Sequence, residues 1–184
     1  EEMIIKLKII GEIEYLNIKK DDFPCSVNQR KKLSANQLDA QFNYVYKISL
    51  EGIKQVFYSL NLGKKLNTEI IKNISHELIV FFNQYINIFK HLNTLGKYDE
   101  YTYTHSLNVA SIATMIGKWL NYTHQDLTNL TYAGLLHDIG KSQVVPNIIN
   151  KPGPLTEDEA RTVQRHPTYG YKIIRNYHEF NENV

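Results

Sequence analysis

The run His137-Asp138-Ile139-Gly140-Lys141 puts an imidazole, a carboxylate and an ammonium within one short segment. An imidazole beside a carboxylate offers a metal one neutral nitrogen and one anionic oxygen. The two oxygens of that carboxylate can also bridge two cations. Such a donor set suits iron, manganese or zinc better than magnesium or calcium. Lys141 follows about a turn later, where its charge could meet a phosphate oxygen. In isolation the same residues read as a helix C-terminus, with His and Lys offsetting the helix dipole. Two further histidines shift that balance. His105, His137 and His166 each end an apolar stripe on a different expected helix, and Asp138 adjoins one of them. Burying imidazoles and a carboxylate without a cation would leave polar groups lacking partners, at several kcal/mol each. Convergence on a metal removes that cost. His76, His91, His124 and His178 lack comparable support and are expected at the surface or in loops.

Helices must carry these residues. Val45, Ile48, Gly52, Val56 and Leu60 recur at helical spacing, which predicts a helix ending near Gly63. Asn67 is the expected N-cap of a second helix, with Leu66 and Ile71 as its hydrophobic staple. Its apolar stripe is Ile71, Ile74, Leu78, Phe81, Tyr85, Phe89 and Leu92. A third helix is expected from about Tyr101 to Leu120, with His105, Val109, Ile112 and Ile116 facing inward. Thr123 and Asp126 read as a capping pair opening a fourth, whose inner face holds Leu127, Leu130, Gly134 and His137. A loop with Pro146, Pro152 and Pro154 follows. Thr156 and Glu159 then form a capping box for a fifth helix, with Ala160 and Val163 inward and His166 at its end. Pro167 disfavours helix at the residue before it, so a last helix is expected from about Thr168 to Tyr177.

Residues 43–184 thus read as an all-α bundle, and residues 1–42 as an N-terminal segment and linker. The alternation of Ile5, Leu7 and Ile9 suggests short β-strands between Ile4 and Ile18, while residues 21–37, with Arg30-Lys31-Lys32, read as a loop. The 184 residues suffice for one domain plus an appendage. With 21 Lys and Arg against 19 Asp and Glu, nothing favours long nucleic acid as a partner, although small anions remain compatible. A single cysteine, Cys25, excludes an internal disulfide and a Cys-rich zinc site, and fits a reducing cytosol. No apolar run is long enough for a membrane span, and no signal-peptide pattern is present. The start at Glu1-Glu2 suggests a fragment.

Four segments carry a resemblance: Tyr101-Thr102-Tyr103-Thr104-His105-Ser106, Ala133-Gly134-Leu135-Leu136-His137-Asp138-Ile139-Gly140-Lys141, Asn150-Lys151-Pro152-Gly153-Pro154-Leu155-Thr156, and Arg165-His166-Pro167-Thr168-Tyr169-Gly170. In order and spacing the chain, from about Tyr44 onward, resembles the HD-GYP branch of the HD phosphohydrolase superfamily. The resemblance implies an HD-type helical bundle and a bacterial, cytoplasmic phosphodiesterase that linearises cyclic di-GMP to pGpG, with further hydrolysis to GMP left open. It implies two divalent metal ions, iron or manganese. His105, His137 and Asp138 would hold one, and Asp138 would bridge to the second, held by His166. Asp138 and Lys141 would be the catalytic residues, with Lys141 binding the scissile phosphate. The chemistry implied is two-metal hydrolysis, in which the cations activate a bridging water and hold the phosphodiester in line. An HD hydrolase of another nucleotide and a non-catalytic HD scaffold are the alternatives. A homodimer or other signalling partners are compatible with the pattern.

Two departures qualify the resemblance. Some members carry a glutamate four residues before the first metal-binding histidine and hold a third metal. Tyr101 stands there, and Glu100 is turned about 100° away. The family also continues with His-His-Glu and Gly-Tyr-Pro segments and a further aspartate, and the chain reaches Val184 before them. His178-Glu179 lacks the sequel and is not taken for the first of these. Residues 1–184 alone are therefore expected to hold metal weakly and to hydrolyse cyclic di-GMP poorly.

Overall fold

Helix α1 (Ala35–Asn61) buries Phe42, Tyr46, Leu50, Ile53 and Phe57, a series spaced three and four residues apart that lines one face of the helix. In the computed structural model residues 34–84, 101–180 and 184 are described. All regular structure among them is helical, in agreement with the all-α expectation. The short strands expected before residue 34 lie outside the described residues, as do Tyr85, Phe89, His91 and Leu92. Helix α1 starts earlier than its sequence pattern suggested. It runs through positions 42 and 43, where the sequence reading divides the chain, and the compact unit begins at Asn36. Phe42, buried against Phe81 at 5.5 Å between ring centroids, supplies the reason.

Helix α2 (Thr68–Gln84) begins as its cap predicts. Asn67 Oδ1 accepts from the backbone N–H of Glu69 at 3.1 Å, and Leu66 and Ile71 are both in the core. Helices α3 (Tyr101–Trp119) and α4 (His124–Leu136) pack together, and both also contact α2. Thr123 caps α4 through the N–H of Asp126. The aspartate does not complete a capping box; its carboxylate accepts from the Thr123 hydroxyl at 2.7 Å instead. The longer Glu159 does reach back to the backbone of Thr156, so the box at the start of α6 (Glu157–Gln164) is complete.

The inner face of α3 differs from the expected one. Ile112 and Ile116 are 38% and 44% exposed, while Thr104, Leu107, Ala110, Ser111, Thr114 and Met115 are buried. The cause is the close approach of α4. At the crossing around Gly134 only small residues fit, and the hydroxyls of Ser111 and Thr114 bond their own helix. Ser111 and Thr114 donate to the carbonyls of Leu107 and Ala110 at 2.8 and 2.7 Å, and Thr114 and Thr131 meet across the interface at 2.7 Å. A Cβ on Gly134 would stand 2.6 Å from Ala110 Cα and 2.9 Å from its nitrogen. Gly134→Ala is therefore expected to destabilise the unit by about 1–3 kcal/mol through overpacking. Helix propensity alone would favour alanine by about 1 kcal/mol. Chemical denaturation decides the sign, and a more stable Gly134→Ala would contradict this packing.

After α4 the chain makes a 3-10 turn (Ile139–Gln143) and a single-turn helix α5 (Pro146–Ile149), within the stretch expected as loop. Helix α7 (His166–Ile174) begins one residue after α6 ends and packs on the 3-10 turn. His166 thus opens α7 instead of closing α6, and Pro167 lies within the first turn, where its missing N–H costs nothing. The segment beyond α7 returns to α2. Tyr177 Oη accepts from the N–H of Leu66 at 2.8 Å, and Phe180 stacks edge-on to Tyr132 at 5.3 Å. No described helix is long and apolar enough to cross a membrane.

Candidate metal centre

His137 caps the C-terminus of α4, and the next residue, Asp138, leaves the helix with φ −102° and ψ 7°. That break turns the Asp138 carboxylate under the end of the helix, where its side chain keeps only 5% of its exposure. The three imidazoles lie above it, with His105, His137 and His166 side chains 37%, 34% and 23% exposed. Sequence reasoning placed these histidines at buried ends of stripes. They line an open mouth instead, and only the carboxylate is buried.

The hydrogen bonds define what faces what. His137 Nδ1 donates to the carbonyl of Gly134 at 2.9 Å, and His166 Nδ1 donates to that of Val163 at 2.8 Å. With the proton on Nδ1, each Nε2 presents a lone pair. His137 Nε2 stands 3.3 Å from His105 Nε2 and 3.3 Å from Asp138 Oδ2, and His105 Nε2 is 3.9 Å from the same oxygen. On the other side of the carboxylate, His166 Nε2 lies 3.2 Å from Oδ1. Acceptors that face acceptors repel unless a proton or a cation sits between them. Two ligands each about 2.1 Å from one metal stand roughly 3.0–3.4 Å apart, which most of these separations match. The donor atoms of His105, His137 and Asp138 all lie within 4.8 Å of one another and could hold one ion. His166 serves the opposite oxygen.

Burial works against charge on Asp138, but hydrogen bonds from His137 and Lys141 outweigh it and hold the carboxyl well below the usual range. With no cation there, a proton on His137 Nε2 would bridge to Asp138, and that hydrogen bond raises His137 above an ordinary imidazole. Lys141 Nζ donates to Asp138 Oδ2 at 2.6 Å, brought there by the 3-10 turn. A carboxylate oxygen has two lone pairs, so Oδ2 can accept from Lys141 and still meet a cation. All four sequence-predicted residues around Asp138 are therefore brought together by the fold. His76, His124 and His178 are exposed, as expected. Glu179 accepts from Thr68 at 3.1 Å and lies 3.6 Å from Lys72, so it ties the last segment to α2 and is remote in role from the centre.

One feature was not legible from spacing. A cavity of about 340 Å³ adjoins Lys141, with Phe57, Asn61 and Tyr103 among its walls. These residues come from α1 and α3, and no local pattern signals their meeting.

The HD domain sequence model matches residues 102–184, the stretch that contains His105, His137, Asp138, Lys141 and His166. Over those residues the chain is similar to the HD domain family. The chain is also similar to proteins of several organisms. The chain is 32% identical over 122 residues to "Cyclic di-GMP phosphodiesterase PA4108" of Pseudomonas aeruginosa, covering 66% of this chain and 30% of that protein. It is 29% identical over 119 residues to a "Cyclic di-GMP phosphodiesterase" of Thermotoga maritima, covering 64% of this chain and 32% of the relative. Over 74 residues it is 43% identical to "3'3'-cGAMP-specific phosphodiesterase 3" of Vibrio cholerae, covering 40% of this chain and 16% of that enzyme. The chain thus spans about a third or less of the length of these relatives. No solved structure matches it. HD domains are metal-dependent, and the His/Asp cluster of this one has donors and spacings that fit a metal.

Proposed function

We propose that this HD domain belongs to a metal-dependent phosphodiesterase that hydrolyses cyclic di-GMP to linear pGpG, in the cytoplasm, and that residues 43–184 are its HD-GYP-type part. The observation that carries the reading is the division of the Asp138 carboxylate. Oδ2 faces His105 and His137, and Oδ1 faces His166. Two divalent ions, iron or manganese, would suit that division, with His105, His137 and Asp138 holding one and Asp138 and His166 the other. When bound, such ions supply an activated water and neutralise the phosphodiester. Each protein group then has a distinct task. The Gly134 and Val163 carbonyls fix the tautomer and direction of His137 and His166. Asp138 stays ionised because Lys141 and His137 stabilise its charge. Lys141, half-buried beside the centre, offsets charge on the phosphoryl oxygens or assists the departing sugar oxygen.

Lys141 also separates binding from chemistry. Lys141→Ala in the longer enzyme is expected to retain its metal by elemental analysis. Its hydrolysis of cyclic di-GMP should fall on the order of 10²–10³-fold, as for loss of one electrostatic stabiliser. Metal lost together with activity would move Lys141 from substrate to structure. The 43% identity to a 3'3'-cGAMP phosphodiesterase favours a second reading, hydrolysis of a mixed cyclic dinucleotide at the same centre. Assaying both dinucleotides side by side separates the two.

A further inference from the structure

We infer that the cavity beside Lys141 seats one nucleobase of the nucleotide whose phosphate is handled at the metal centre. The inference rests on the phosphodiesterase reading above and adds where the base goes. Lys141 belongs to both places. Its Nζ lies 2.6 Å from Asp138 Oδ2, and the same side chain lines the cavity. A phosphate meeting that ammonium therefore has the cavity beside it for its nucleoside.

Size selects how much can enter. The volume of about 340 Å³ is at the lower end of the range of roughly 300–1,000 Å³ for ligand sites. It suits one nucleoside better than a whole cyclic dinucleotide, so the second half would remain outside. Wall chemistry selects the kind of group. Phe57 and Tyr103 meet edge to face at 5.3 Å and give the cavity an aromatic side. Asn61 and Asn150 contribute exposed amides, each with donors and an acceptor, and neither side chain is engaged by another described residue. Among the lining residues Lys141 alone is charged. An aromatic wall with neutral amides matches the face and edge of a base, which stacks and presents both donors and acceptors. Its one cation, Lys141, is the group that meets the first phosphate.

The loop bearing Asn150 is held in place. Glu159 Oε2 accepts from Lys151 Nζ at 2.5 Å and from the backbone N–H of Thr156 at 2.7 Å. The residue next to Asn150 is thus pinned to the start of α6, which limits the ordering the amide must undergo on binding.

Calorimetry on the manganese-loaded longer enzyme, with GMP and ribose 5-phosphate as probes, tests the seat because the two differ only in the group at C1′. GMP is expected to bind at least tenfold more tightly. Asn61→Ala and Asn150→Ala should each weaken GMP by roughly five- to tenfold, one hydrogen bond's worth, and leave ribose 5-phosphate unchanged. Asn61→Trp, at an exposed helix position that should tolerate it, fills the cavity and should erase the advantage of GMP. Equal binding of the two probes, or a GMP advantage that survives Asn61→Trp, overturns the base seat while manganese and ribose 5-phosphate binding keep the metal centre standing. Failure to hold manganese or either probe would overturn the phosphodiesterase reading, and the base seat with it.

Discussion

Asp138→Ala is expected to remove metal and cyclic di-GMP hydrolysis together. One side chain supplies both oxygens that face the histidines, Oδ2 toward His105 and His137 and Oδ1 toward His166. Alanine leaves three lone-pair nitrogens with no anion among them. Loss of a group that merely supports a ligand costs about 10–100-fold in affinity or activity. Loss of the shared ligand should exceed that, on the order of 10³-fold or more in turnover. Elemental analysis after dialysis, beside an assay of the longer enzyme, makes the measurement. Metal and turnover both retained would show that the carboxylate has been given the wrong role. Asp138→Asn is the sharper companion. It keeps the volume and one acceptor oxygen for Lys141 while removing the charge, so its unfolding temperature should stay closer to the parent than its metal content does.

The second large effect is expected at a residue with no chemistry. A Cβ on Gly140 would stand 1.9 Å from the carbonyl oxygen of His166 and 2.5 Å from the nitrogen of Gly170. Both are backbone atoms of α7, so no side chain can swing aside. The helix itself must move away from the 3-10 turn. Overpacking of this kind costs about 3 kcal/mol or more, which corresponds to roughly 6–12 °C in Tm for a unit of this size. The displaced element carries His166, now 3.2 Å from Asp138 Oδ1. Gly140→Ala should therefore lower stability and also lower metal content per folded molecule, with the His166 side of the centre the more affected. Thermal unfolding and metal stoichiometry on the folded fraction check the two parts. A Gly140→Ala chain of parental stability would mean that α7 does not lie against the turn.

Asn61, Tyr103 and Asn150 show where a site escapes sequence reading. They come from α1, α3 and the end of α5, and each looks locally like an ordinary surface or half-buried residue. Only the packing of those elements makes a cavity between them. The inner face of α3 failed for a related reason. Large aliphatic residues such as Ile112 and Ile116 were expected inside, because apolar area usually drives burial. Close approach of α4 at Gly134 instead reserves the interface for Ala110 and for hydroxyls that bond their own helix.

What the sequence determined was local or compositional. The caps at Asn67 and Thr156, the helical stripes and the His137-Asp138…Lys141 run depend on neighbours within a few residues, and the two further histidines are read from residue type and order. Such interactions survive any larger arrangement, so they could be read directly. The tertiary structure decided which oxygen of Asp138 meets which imidazole, that His166 opens α7, and that the imidazoles stand in an open mouth above a buried carboxylate. These outcomes depend on helix separations within fractions of an ångström. Contacts such as Gly134 on Ala110 and Gly140 on His166 set those separations, and they join residues 24 and 26 positions apart that no local period connects.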